Sequence, residues 1–149
     1  MIEGVKVKEL RVNYDDRGYL MEILRADEAI FEKFGQVYIT TAKPGIIKAW
    51  HYHKNQDDHF CCIAGIMRLV LYDARLQSKT KGKIMEWDVG IGKPKLVKIP
   101  AGVYHGFKCA SNVDAVVINV PTRPYDSVNP DEYRVDPFEK TIPYDWRKP

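Results

Sequence analysis

The stretch GIIKAWHYHKNQDDHFCCIAG, Gly45 to Gly65, decides how the rest of the chain is read. Ile46, Ile47, Trp50 and Tyr52 are β-branched or aromatic and favour a strand. With a side-chain period of two, His51 and His53 then project from one face. Asp58 opens a second run, in which Phe60, Cys62 and Ala64 share its face. Two imidazoles and a carboxylate therefore aim into one space. His105, in IPAGVYHGF, stands in a similar setting. Four such groups converging inside a β fold make either a metal site or acid–base machinery.

Outward from this stretch, short strand-like runs alternate with Gly/Pro turns. They are expected near 4–12, 19–24, 36–42, 60–64, 66–72, 84–89, 96–99, 104–109 and 115–120. Gly65, between two such runs, is expected to make a tight hairpin. Ala29, Ile30 and Phe34 at helical spacing predict a short helix near 26–34 within RADEAIFEKF. From about 121 the chain turns Pro- and Tyr-rich, a tail expected to wrap the surface. This pattern gives one all-β domain over 1–149, a sandwich or barrel. No βαβ alternation, Gly-rich phosphate loop or serine-elbow motif is present.

Composition narrows the function classes. Charged residues are 29% and the net charge is only +3, with cations scattered rather than clustered, so no nucleic-acid partner is expected. No apolar run approaches the ~20 residues of a membrane span, and MIEGVKVKEL lacks a signal-peptide apolar segment. The three cysteines read as reduced core thiols, with Cys62 and Cys109 able to meet inside. These features suggest a cytoplasmic protein.

Gly45, His51, His53, Asp58 and Gly65 resemble, in order and spacing, the first cupin motif, with aspartate where glutamate is usual. Pro100, Gly102 and His105, followed by Asn112, resemble the second. The resemblance implies a double-stranded β-helix jelly roll whose interior holds the site. A narrower set is similar to the dTDP-4-dehydrorhamnose 3,5-epimerase family: DDRGYLMEI, Gln36, the K-x-W-H-Y of the central strand, DAR at Asp73–Arg75, IPAGVYHGF and the tail.

That resemblance implies a nucleotide-linked 4-keto sugar as substrate, epimerised beside the keto group without cofactor. It implies His51 as base, His105 as the second active-site histidine and Tyr125 as proton donor. It places Arg17, Glu22, Gln36, Lys48 and His53 with substrate contacts, some reaching in from a second subunit of a homodimer. Lys48 stands where the family has arginine, and strict alternation turns it away from His51 unless a bulge intervenes or it sits at the rim. Asp58 stands where the family has a lysine, and is expected to orient His51. The rival reading makes His51, His53, Asp58 and His105 ligands of Zn, Mn, Fe or Ni. A third reading is a nucleotide-sugar binder without chemistry. Of the remaining residues, His59 should point outward, and Trp50 and Tyr52 should form an outward aromatic patch packing on N-terminal strands or a second subunit.

Overall fold

Alternating apolar side chains on short runs cannot bury themselves singly, and here they are buried between two sheets. The computed structural model describes residues 1–148; Pro149, the last residue of the expected domain, lies outside them. The strands are β1 (Lys6–Glu9), β2 (Val12–Asp15), β3 (Gly18–Met21), β4 (Tyr38–Ala42), β5 (Ile47–Tyr52), β6 (Asp58–Ala64), β7 (Ile66–Asp73), β8 (Ile84–Gly90), β9 (Lys95–Ile99), β10 (Val103–Cys109), β11 (Ala115–Asn119) and β12 (Tyr133–Arg134). One five-stranded sheet has the order β1-β9-β6-β11-β4, and the other β12-β5-β10-β7-β8. β2 and β3 form a separate hairpin. Every strand pairing is antiparallel. The architecture is the expected cupin jelly roll.

The core takes alternate residues from both sheets: Phe60, Cys62, Val97, Ile99 and Val117 from one, and Met67, Leu69, Leu71, Val103 and Phe107 from the other. Cys62 and Cys109 are free thiols within it. Two smaller clusters cover the outer faces. Leu10, Ile30, Cys61 and Leu96 form one, and Trp50, Val70, Ile142 and Trp146 the other.

Three expectations fail here, each through contacts distant in sequence, and a fourth, for His59, holds in direction but not in exposure. Gly65 is not a hairpin, because β6 and β7 lie in different sheets and do not pair. It turns a corner between them at φ +66°, where an added Cβ would stand 2.6 Å from the Asp114 carbonyl oxygen. The short helix near 26–34 does not form; successive turns close through Glu28 N–H to Arg25 C=O and Phe31 N–H to Glu28 C=O. The carbonyls a helix would need are taken by the sheet: Lys6 Nζ donates to Ala29 O at 2.7 Å and His59 Nε2 meets Ile30 O at 3.1 Å. His59 points away from the core, as its parity requires, yet it is fully buried beneath this segment. Trp50 is fully buried as well, because the chain's own tail covers it: Trp146 and Tyr144 lie 4.9 and 5.9 Å from it between ring centroids. Tyr52 stacks on Tyr133 in the same cover.

Candidate active site

A cavity of about 1140 Å³ opens between the sheets at the ends of β4, β5, β6 and β10. His51 and Lys48 both line it, three residues apart on one strand. The bulge that permits this is visible in the register: His105 faces His51 and Phe107 faces Lys48, so β5 fits two residues opposite Gly106. A side chain at 106 would have its Cβ 2.3 Å from that of Ala49, so glycine lets the bulge close on β10.

Asp58 anchors the cavity floor at 1% exposure. Its Oδ1 accepts from Gln56 Nε2 at 2.9 Å and Asn119 Nδ2 at 3.0 Å. Its Oδ2 lies 3.1 Å from His53 Nε2 and 3.3 Å from His105 Nε2, without a linear hydrogen bond from either. Asp58 thus meets His53 and His105; His51 has no carboxylate within 4.0 Å among the described residues. His53 Nδ1 is held by the Asp131 carbonyl, and the Asp131 carboxylate accepts the Lys54 and Asn55 N–H groups at 2.8 Å each. His105 Nδ1 faces the Val103 carbonyl at 3.2 Å.

These environments separate the titrations. Burial, then the facing His105 ring with its centroid 6.2 Å away, pushes His51 down to about 4, so it is neutral at pH 7. Burial opposes charge on His53, but contact with Asp58 and then the Asp131 carbonyl outweighs it and raises His53 to about 9. Burial likewise opposes ionisation of Asp58, yet His105 and His53 hold it well below the usual carboxylate range. One wall therefore carries a neutral imidazole beside a buried ion pair.

The same cluster has a donor set suited to a divalent cation. Ligand atoms of His53, Asp58 and His105 lie within 4.8 Å of one another. Each imidazole turns Nδ1 to a backbone carbonyl, the arrangement that leaves Nε2 as the ligand atom. His51 is outside this group, so the four-ligand set read from sequence becomes three.

The other expected site residues divide. Gln36 lines the cavity, and its Oε1 accepts the Tyr125 N–H at 3.2 Å. Tyr125 sits at the mouth, 60% exposed. Arg17 and Glu22 do not line the cavity; they pair with Asp15 at 2.6 Å and Arg25 at 3.1 Å. Asn112 is exposed in the loop after β10. Sequence reading missed Gln56, Asn119, Asp131 and Tyr38. Asn119 carried a signal, being the polar residue on the parity of core Ala115 and Val117; the others depend on long-range packing. Lys33, Lys48 and Arg123 add positive charge to the lining.

Comparison with known proteins agrees with this fold. Residues 13–133 match the polysaccharide biosynthesis C-terminal domain model. The spore coat polysaccharide biosynthesis protein SpsL of Bacillus subtilis is 42% identical, over 98% of this chain and 97% of its own. The probable low-salt glycan biosynthesis epimerase Agl13 of Haloferax volcanii is 37% identical, over 97% and 94%. A dTDP sugar isomerase from Desulfovibrio desulfuricans G20 superposes with a TM-score of 0.92 at 29% identity, covering 97% of this chain and 92% of that one. With a family model covering most of its length and near-full-length relatives above one-third identity, this chain belongs to the polysaccharide biosynthesis C-terminal domain family.

Proposed function

We propose that this chain is a nucleotide-sugar epimerase. It removes a proton beside the keto group of a nucleotide-linked 4-keto-6-deoxyhexose and returns one to the opposite face. The observation that carries the reading is His51: an imidazole in the cavity wall, uncharged at neutral pH and therefore able to accept a proton. A pKa near 4 makes a weak base, but an anionic diphosphate entering the cavity favours the imidazolium and strengthens it. Lys33, Lys48 and Arg123 supply charge complementary to that diphosphate. His53, His105 and Asp58 act as one charged unit beside the base, and Tyr125 returns the proton. Gln36 contacts the nucleotide sugar and steadies the Tyr125 backbone. The chain works as one cupin domain with its tail folded back, in a homodimer where Arg17 and Glu22 reach the neighbouring subunit's cavity.

The test is wash-in of solvent deuterium, followed by NMR on a panel of nucleotide-linked 4-keto sugars. His51→Ala should slow exchange by roughly 10²–10⁴-fold while nucleotide affinity and fold persist. Exchange at the unaltered rate would place the base elsewhere. Binding without any exchange in the unaltered protein would leave only a sugar-nucleotide binding module.

A second reading is favoured by one feature, the two imidazole nitrogens of His53 and His105 converging on Asp58 Oδ2, which accepts no hydrogen bond. There His53, Asp58 and His105 hold a divalent cation, which would polarise the keto oxygen when bound. Elemental analysis separates the two. The epimerase reading as given expects no stoichiometric ion, whereas one ion per chain, lost in His53→Ala, supports the metal.

A further inference from the structure

Taking a proton from the carbon beside a ketone moves negative charge onto the keto oxygen, which needs a donor placed where that charge develops. The most buried groups of the cavity cannot serve. Asp58 is an anion, and His53 and His105 each turn Nδ1 to a backbone carbonyl and Nε2 towards the Asp58 carboxylate, away from a bound sugar. Lys48 is bonded to Thr40 Oγ1 at 3.0 Å and lies on the same strand as His51. His51 becomes a cation on accepting the proton, and an ammonium beside it would oppose that step.

Tyr38 has none of these disadvantages. It lines the cavity from β4, on the sheet facing the one that carries His51. Its hydroxyl oxygen is 2.9 Å from Asn119 Nδ2, and an amide nitrogen only donates, so the phenol is the acceptor in that bond. The phenol's own proton is therefore free, and it has no acceptor among the described residues. The same Asn119 nitrogen donates to Asp58 Oδ1 at 3.0 Å, so the hydroxyl is fixed to the most rigid part of the site. Tyr38 keeps 41% of its surface exposed, and a phenol is un-ionised at neutral pH in any case; desolvation and the charge on Asp58 shift its pKa further upward.

We propose that the Tyr38 hydroxyl is a catalytic residue, donating a hydrogen bond to the enolate oxygen of the sugar; this rests on the epimerase reading above. In the step, the C–H pair becomes the enolate double bond, the carbonyl π pair moves to oxygen, and His51 takes the proton. Tyr38 keeps its proton throughout and shares it with the oxyanion. Tyr125 then gives its proton to carbon, the oxyanion pair reforms the carbonyl, His51 loses its proton to solvent and Tyr125 regains one from it. A neutral donor lowers the barrier without reducing the basicity of His51.

The experiment compares Tyr38→Phe with the unaltered protein, using a dTDP-linked 4-keto-6-deoxyhexose in deuterium oxide. Exchange beside the keto group should slow by roughly 10²-fold or more, with dTDP affinity by calorimetry and the melting temperature little changed. Exchange within about threefold of the unaltered rate overturns the proposal. So does retained exchange with inversion alone lost, which would mark Tyr38 as a proton donor to carbon. These failures leave the epimerase reading standing if His51→Ala abolishes exchange. An unaltered protein that exchanges nothing with the whole sugar panel overturns both.

Discussion

At the scale of single residues, the ion pair of His53 and Asp58 ties stability to pH. His53 is raised from 6.5 to about 9 in the fold. A raised histidine contributes stability that is full below about pH 6.5 and is lost progressively as pH rises to about 9. At 1.36 kcal/mol per pKa unit the contribution is of order 3 kcal/mol, with the ring mostly shielded from solvent. His51 works in the other direction. Lowered to about 4, it costs stability progressively as pH falls from 6.5 towards 4. We expect the melting temperature to fall across pH 6.5–9 by several degrees, and Asp58→Asn to flatten that alkaline slope while lowering stability overall. An unchanged slope in Asp58→Asn, measured by calorimetry in matched buffers, would show that His53 does not draw its charge from Asp58.

At the scale of elements, the C-terminal tail is part of the site although it lies behind it. Trp50 N–H bonds Val135 O at 2.9 Å and Val135 N–H bonds Trp50 O at 3.0 Å, so the tail closes the edge of the strand that carries His51. Trp146 seals the outer face of that strand. Trp146→Ala should cost about 3–5 kcal/mol by denaturant titration, with a large part of the lost packing around Trp50; a loss under about 1 kcal/mol would show the tail to be a loose cover. The strands themselves were legible, since period-two alternation in Ile66–Asp73 or Ala115–Asn119 is set within each segment. The inward set of His51, His53, Asp58 and His105 follows from the same parity, which leaves Lys48 to a bulge or the rim; the bulge is what forms. What parity cannot show is what lies on the outer face. His59 and Trp50 do point outward, and both are buried because residues 29 and 61 positions away in the first case, or 94 and 96 in the second, fold over them. The absent helix has the same origin, because Lys6 and His59 compete for the carbonyls that would have closed it.

At the scale of the whole molecule, the β2–β3 hairpin stands apart from both main sheets with apolar side chains uncovered. Tyr14, Tyr19 and Leu20 are exposed on it, Val37 and Ile39 are exposed at the open edge formed by β4, and that edge borders the cavity. Apolar side chains grouped on a projecting hairpin and on an unpaired strand edge are the surfaces that association covers. Docking the hairpin of one copy near β4 of another would carry Arg17, now 84% exposed with only Asp15 as partner, towards the mouth beside Lys33 and Arg123. Sedimentation should then report twice the chain mass, and Leu20→Asp should shift it to the monomer. Arg17→Ala should weaken nucleoside diphosphate binding roughly tenfold or more, the loss of one charge-assisted contact of about 1.5–3 kcal/mol, without changing the dimer. The two effects are linked: in the Leu20→Asp monomer Arg17 has no second cavity to reach, so adding Arg17→Ala should weaken binding no further. A dimer whose affinity ignores Arg17, or a monomer that binds as tightly as the dimer, would show that each chain holds its ligand alone.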